Sequence, residues 1–107
     1  MARSPEEVDT ILRKTVAEAG KHFPVDAAYL FGSYANGTAT DESDIDIALF
    51  SSRADEMKPG ERGMALGRIR LAVGAEIELH LFSDKSLSQA RPSNIFGLIL
   101  KTGRKIT

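Results

Sequence analysis

The sequence contains no cysteine and only two histidines, His22 and His80, among its 107 residues. Without cysteine the chain forms no disulfides and no Cys-ligated zinc site, and two histidines so far apart argue against a His-rich metal centre. Cation binding through oxygen ligands remains open. The 14 basic residues nearly balance the 15 acidic ones, so no overall field attracts nucleic acid or an anionic membrane.

Long hydrophobic runs are also missing. No apolar segment approaches the roughly 18 residues that a membrane span needs, and the charged beginning of the chain lacks the apolar core of a signal peptide. We therefore expect a cytoplasmic protein. A chain of 107 residues suits a single domain over residues 1–107, with one core that removes roughly two-thirds of the unfolded surface from water.

The first half of the chain predicts a helix followed by two strands. Ser4, Pro5 and Glu7 form a helix start, with an N-cap, a proline in the first turn and a capping-box acid. The amphipathic pattern that follows ends near Gly20. Residues 25–31 are apolar apart from Asp26, lack a helical period and predict a buried strand. A helical turn is expected over residues 33–36, and a second strand over residues 44–50.

The second half predicts a loop, a helix, a strand and a last helix. Residues 51–63 are charged and contain Pro59, Gly60 and Gly63, which is typical of a mobile loop. Apolar residues then recur at helical spacing up to Gly74, and residues 76–82 alternate as in a strand with one face on a core. A short helix capped by residues 93–94 and ended by Gly103 closes the chain. Helices that alternate with apolar strands favour the α/β class, with a sheet packed against helices.

Two carboxylates in the second predicted strand, Asp44 and Asp46, are the feature that most needs an explanation. A strand repeats its faces every two residues, so both acids point the same way and lie about 7 Å apart. Burying like charges together is unfavourable unless a cation neutralises them. A divalent metal is the natural partner. The alternative is that Asp44 caps the strand and Asp46 is solvated at a sheet edge.

Gly32 and Ser33 directly follow the first predicted strand. A glycine lets the backbone approach a phosphate closely, and N–H groups at a helix start together with a serine hydroxyl can hold its oxygens. Taken alone, the same dipeptide is an ordinary turn between a strand and a helix. The order of a Gly-Ser turn and a strand with paired Asp suggests phosphate and metal chemistry together.

The segments Leu30-Phe31-Gly32-Ser33-Tyr34-Ala35-Asn36-Gly37 and Ser43-Asp44-Ile45-Asp46 resemble the polymerase-β-like nucleotidyltransferase superfamily, and most closely its small, minimal nucleotidyltransferases (MNT). The resemblance spans residues 23 to about 82. It implies an α+β fold with a small mixed sheet. It also implies that Asp44 and Asp46 bind Mg²⁺, in a two-metal site, and that Gly32 and Ser33 bind the phosphates of ATP or another nucleoside triphosphate.

In that family a third carboxylate lies on a later strand between two hydrophobic residues. Glu78, between Ile77 and Leu79, fits this context better than Glu76, which starts the strand on the same face. The resemblance therefore implies that Glu78 completes the catalytic metal site. The family more often has Asp at this position, and the extra methylene of Glu puts ideal two-metal geometry in doubt. His80 shares that strand face, where a lone histidine is more often a bystander than a ligand or base.

A second departure is Asn36, where many small members have an arginine. Arg62, Arg68 and Arg70 of the predicted second helix are candidates to replace that cation, although a solvated helix face is the simpler interpretation.

The resemblance implies transfer of a nucleoside monophosphate, AMP when ATP is the donor, to a hydroxyl acceptor. Small relatives are paired with a helical HEPN-type protein in toxin–antitoxin modules, where the nucleotidyltransferase is the antitoxin and can adenylylate the toxin. A protein partner of this kind is the expected acceptor. The alternative is a catalytically weak module that neutralises its partner by contact, which Glu78 and Asn36 favour. A third option is the substrate-binding fragment of a larger nucleotidyltransferase, and the balanced charge argues against RNA as its substrate.

Overall fold

The computed structural model describes residues 3–106 and contains four helices and four strands, with two short 3-10 helices between them. The helices are α1 (Pro5–Ala19), α2 (Ser33–Asn36), α3 (Pro59–Val73) and α4 (Ile95–Thr102). The strands are β1 (Ala27–Phe31), β2 (Ile45–Ser51), β3 (Ile77–Ser83) and β4 (Arg104–Lys105). The 3-10 helices cover Ala54–Glu56 and Asp84–Gln89. Helices and strands alternate, which confirms the predicted class.

The predicted start of α1 is confirmed. The Ser4 hydroxyl oxygen accepts a hydrogen bond from the Glu7 backbone N–H over 3.2 Å. That bond satisfies one of the N–H groups that have no partner within the helix. Val8, Leu12 and Ala19 are buried along one side of the helix, and α1 ends before Gly20, as the sequence predicts.

The four strands form one mixed sheet in the order β3-β2-β1-β4. β2 is antiparallel to β1 and parallel to β3, while β4 is antiparallel to β1. β2 is therefore a central strand, and its first residues lie between the end of β1 and the start of β3. The register pairs Asp46 with Phe31 on β1 and with Glu78 on β3.

The two faces of the sheet are covered to different extents. On one face, α1 and α3 pack against the alternating apolar residues of the three long strands, which include Leu30, Ile45, Ile47, Leu49, Ile77, Leu79 and Leu81. The prediction that Ile77, Leu79 and Leu81 face the core is confirmed. On the other face, Ala48 and Phe50 pack with Ile99 of α4 in a smaller cluster. Asp46 and Glu78 lie on this second face by strand alternation.

The loop predicted over residues 51–63 is wrong for most of its length. A 3-10 helix covers Ala54–Glu56, and α3 already begins at Pro59. Proline fits the first turn of a helix because its missing N–H would have no helical partner there. The Glu61 carboxylate also accepts from the Lys58 N–H over 3.3 Å. The glycines counted as loop signals lie in exposed helix, and burial of Ala65 and Ile69 against the sheet outweighs their low propensity.

The short strand β4 has no counterpart in the sequence predictions. It follows Gly103, where a Cβ atom would collide with the carbonyl oxygens of Ile99 and Leu30. Glycine thus lets the chain turn tightly from α4 onto the β1 edge. Arg104 then pairs with Asp9 of α1 over 2.9 Å. Within residues 3–106, no helix is both long and apolar enough to cross a bilayer.

Candidate active site

Asp46 and Glu78 are direct neighbours on the paired parallel strands β2 and β3. Partners in such a pair point to the same side of the sheet. A carboxylate oxygen of Asp46, one of Glu78 and a ring nitrogen of His80 all lie within 4.8 Å of one another. Asp46 and His80 are half-buried and Glu78 is exposed, so the group is rooted in the sheet and open to solvent.

Asp44 lies just before β2 and is exposed. The strand predicted to begin at Asp44 begins one residue later, at Ile45. Asp44 is not part of the Asp46–Glu78–His80 group found among the described residues. It is near enough for its charge to raise the pKa of Asp46, as the smallest of the causes. Asp44 therefore borders the group from the loop side.

The Gly32 turn lies directly against Asp46. Gly32 has φ 75° and ψ −154°, a conformation that L residues with a side chain rarely adopt. A Cβ atom at this position would collide with the Oδ2 atom of Asp46. The Gly32 carbonyl accepts from the N–H groups of Ala35 and Asn36 over 3.0 and 3.1 Å. The predicted helical turn after Gly32 is confirmed, and only glycine lets it approach the carboxylate this closely.

The pKa of Asp46 is raised above its usual value. Burial is the largest cause, followed by the negative charge of the neighbouring Glu78. The charge of His80 acts in the opposite direction. The pKa of Asp46 is therefore raised because two acids are held together without enough positive charge to compensate them.

The three side chains fit a divalent cation. Two carboxylates and an imidazole are established ligands for such ions, and all three ligand atoms already approach one another. A cation would offset the repulsion that raises the pKa of Asp46. The group includes Glu78 and does not include Glu76, which is also exposed and precedes β3.

His80 is the member of the group that the sequence analysis treated as a bystander. It lies two residues after Glu78 on β3, so strand alternation brings both to one face. The ring also contacts Phe31, at a centroid distance of 5.3 Å, and Phe82, at 6.2 Å. The alternation of residues 76–82 was the sequence signal for this placement.

Asn36, which stands where many small members have an arginine, and Arg62, one of the arginines that could replace it, both have other partners. The Asn36 side-chain oxygen accepts from the Thr38 N–H over 3.2 Å and from its hydroxyl over 2.6 Å, which closes the turn after α2. The Arg62 guanidinium donates to the Leu81 carbonyl oxygen. Arg62 belongs to α3, on the sheet face opposite Asp46. Neither side chain adds a free cation beside the acidic group.

Comparison with known proteins gives one family. Residues 13–105 match the family model described as polymerase beta, nucleotidyltransferase. No significant match is found among curated protein sequences.

Several solved structures share the fold. A toxin–antitoxin complex solved with AMP-PNP contains a chain with 25% identity and a TM-score of 0.65, over 90% of this chain and 72% of that one. A tri-AMPylated HEPN toxin of Shewanella oneidensis in complex with an MNT antitoxin gives 19% identity and a TM-score of 0.60, over 92% and 70%. A Sulfolobus solfataricus protein described as a putative nucleotidyltransferase has 24% identity and a TM-score of 0.58, over 83% of this chain and 84% of that one.

Proposed function

Because this chain belongs to the polymerase β nucleotidyltransferase family, we propose that it transfers a nucleoside monophosphate from a nucleoside triphosphate, AMP from ATP, to a hydroxyl group of a protein partner. The acidic group at the start of β2 and β3, next to a glycine turn, carries the proposal. Asp46 and Glu78 are held there by strand pairing, and the backbone of Gly32 adjoins the Asp46 carboxylate.

The turn at Gly32 and Ser33 is the proposed binding site for the triphosphate. The first N–H groups of α2 have no partners within the helix and carry partial positive charge. The Ser33 hydroxyl adds a donor in the same turn. Phosphate oxygens bound there would lie beside Asp46, because a Cβ on Gly32 would already reach that carboxylate. Binding at this turn therefore brings the triphosphate to the acidic group.

Asp44, Asp46 and Glu78 are the proposed ligands for Mg²⁺, which would neutralise phosphate charge and support an in-line displacement, with two ions in the family's arrangement. The acceptor hydroxyl oxygen forms a bond to the α-phosphorus, and the bond from that phosphorus to the bridging oxygen of pyrophosphate breaks. The hydroxyl proton passes to a carboxylate and then to solvent. Glu78 is the proposed acceptor of this proton because it is exposed, whereas its strand neighbour Asp46 is half-buried.

A HEPN-type protein is the proposed partner and acceptor, with this chain as the antitoxin. Two of the solved structures that share the fold are a toxin–antitoxin complex with AMP-PNP and a complex of an AMPylated HEPN toxin with an MNT antitoxin. Those descriptions belong to those proteins, and they support the proposal through similarity of fold. We expect the reaction in the cytoplasm, where ATP is available.

The test is transfer of label from α-³²P-labelled ATP, in Mg²⁺, to a purified HEPN-type partner encoded beside this chain. Asp46→Asn should reduce the rate by at least about 10²-fold, since a carboxylate of the reaction centre is lost. Asp55→Asn is the matched control, because Asp55 is an exposed acid beyond the far end of β2. Equal transfer by the wild type and Asp46→Asn would contradict the proposal.

A second function is neutralisation of the partner by contact, without catalysis. The observation that favours it is the use of Asn36 in closing its own turn, where many relatives have an arginine to bind phosphate. Inhibition of the partner's activity distinguishes the two functions. If Asp46→Asn inhibits the partner as well as the wild type does, without ATP, contact suffices.

A further inference from the structure

The imidazole of His80 is held at the acidic group by packing on both sides. Its ring lies 6.2 Å from that of Phe82, with an angle of 9° between the planes, and 5.3 Å from that of Phe31. The residue opposite His80 on β2 is Ala48, whose single methyl group leaves space for the ring. These neighbours restrict the rotamers of His80, so little side-chain entropy remains to be lost when a ligand binds.

The free edge of this ring faces the carboxylates. The His80 Nε2 atom is 3.9 Å from the Glu78 Oε1 atom, and the ligand atoms of His80, Glu78 and Asp46 lie within 4.8 Å of one another. Two ligands on one ion are about 3–4 Å apart when each is about 2.1 Å from the metal. Rotation of the exposed Glu78 side chain can supply the remaining adjustment.

The donor set of this group differs from an all-oxygen one. Mg²⁺ takes oxygen ligands in near-ideal octahedral geometry, whereas imidazole nitrogen suits transition metals. An imidazole beside two carboxylates therefore improves binding of Co²⁺ or Zn²⁺ more than binding of Mg²⁺.

From this geometry we infer that His80 is a direct metal ligand through Nε2, and that with Asp46 and Glu78 it makes the site prefer divalent transition metals over Mg²⁺. The inference rests on the proposed function only for the location of the metal site. It is tested by metal binding alone, without nucleotide or partner, so the two can fail separately.

The decisive variant is His80→Phe, which keeps an aromatic ring between Phe31 and Phe82 and removes the nitrogen. The affinities of Co²⁺ and Mg²⁺ are measured by calorimetry on the full chain, and a thermal melt in chelator checks that the fold is kept. Co²⁺ affinity should fall by about tenfold or more, because loss of even a residue that only supports a metal ligand costs about 10–100-fold, while Mg²⁺ affinity changes by less than about twofold. His22→Phe, at the only other histidine, should leave both affinities unchanged.

Direct ligation is separated from mere proximity by ¹⁵N NMR of the two imidazoles with Zn²⁺. Coordination should shift the Nε2 resonance of His80 and leave the nitrogens of His22 unaffected. An unchanged ratio of Co²⁺ to Mg²⁺ affinity in His80→Phe, an unshifted Nε2 resonance, or no Co²⁺ binding by the wild type would each overturn the inference. Loss of nucleotidyl transfer with a retained Nε2 shift would contradict the proposed function alone.

Discussion

Gly32 leaves no space for a side chain between its own backbone and the carboxylate of Asp46, because a Cβ atom there would collide with Oδ2. This contact joins the end of β1 to the start of β2 at the one point where the proposed phosphate turn and metal ligand meet. The close packing of Gly32 against Asp46 thus also sets the distance between the proposed phosphate-binding turn and the proposed metal ligand.

Gly32→Ala should therefore destabilise the protein and weaken metal binding together. The backbone conformation and the collision with Asp46 each cost about 1–3 kcal/mol, so we expect a loss of about 3 kcal/mol in the free energy of unfolding. Urea denaturation and calorimetry with a divalent metal measure the two effects.

Gly37→Ala is the matched control for this prediction. Gly37 also has a positive φ, 82°, but among the described residues other than its chain neighbours no atom lies within 4 Å of the position of its Cβ. Gly37→Ala should lower the free energy of unfolding by only about 1–2 kcal/mol, because alanine is strained in the left-handed conformation. It should leave metal affinity unchanged. Equal metal affinity in Gly32→Ala and Gly37→Ala would contradict the structural link between the turn and Asp46.

The raised pKa of Asp46 predicts a pH dependence of stability in the absence of metal. Burial is its first cause and Glu78 its second, so the folded state binds a proton that the unfolded state releases at its ordinary pKa of 3.8. The stabilising contribution is complete below that pH and is lost as pH rises through the raised folded value. Ionised Asp46 consequently destabilises the metal-free fold at neutral pH.

Asp46→Asn removes this ionisation and should make the metal-free protein more stable than the wild type at pH 7. This gain in stability over the wild type should shrink as pH falls from the raised folded pKa of Asp46 towards its ordinary pKa. Chemical denaturation in chelator at several pH values measures it, with Asp55→Asn as the control for an exposed acid. If Asp46→Asn is less stable than the wild type at neutral pH and gains relative stability in acid, the assigned origin of the shift is wrong.

Arg62 is predicted to stabilise the edge strand β3 rather than to take part in catalysis. Its guanidinium donates to the Leu81 carbonyl oxygen at that edge. Hydrogen bonds to charged groups contribute about 1.5–3 kcal/mol, so Arg62→Met should lower the free energy of unfolding by roughly this amount and leave metal affinity unchanged. Arg68→Met, at an exposed position of the same helix, should change stability by less than about 0.5 kcal/mol. A reduced metal affinity in Arg62→Met would argue against the structural role.

Local signals in the sequence predicted the parts of the fold that depend on neighbouring residues. The cap at Ser4, the turn at Gly32 and the alternation of β3 each arise from interactions within a few residues, and each is confirmed. The start of α3 at Pro59 was missed because burial of its later residues against the sheet outweighs the glycines of its first turns. Strand order and the pairing of β4 depend on contacts distant in sequence, which no local pattern encodes.

The candidate site also combines features that the sequence predicts with features that only the structure shows. Alternation placed Glu78 and His80 on one strand face, and the family resemblance selected Asp44, Asp46 and Glu78. Only the parallel register shows that Asp46 and Glu78 are direct partners. Among the described residues, Asp44 lies outside the closest group, and β2 begins one residue later than predicted, at Ile45.

Substitution of Glu78 on β3 and of Glu76 just before it should separate the roles of these two acids. Glu78 pairs with Asp46 across the strands and shares the ligand group, whereas Glu76 is exposed just before β3 and outside that group. Glu78→Gln removes one charged ligand and one proton acceptor, so metal affinity should fall by about tenfold or more and the rate of transfer by about 10²–10⁴-fold. Glu76→Gln removes the same charge two residues away and should change neither by more than about twofold, because an exposed charge beside the site is screened by solvent.

Glu78→Asp tests whether the longer side chain matters, since it keeps the charge and draws the carboxylate back by one methylene. Asp46 and Glu78 begin from paired positions on adjacent strands, so the shorter acid still points to the same face. If the group is a metal site, Glu78→Asp should retain most of the metal affinity that Glu78→Gln loses. Calorimetry of Glu78→Asp, Glu78→Gln and Glu76→Gln in one buffer compares their metal affinities. Equal losses in Glu78→Gln and Glu76→Gln would show that the effect is one of net charge, and Glu78 would then have no particular role as a ligand.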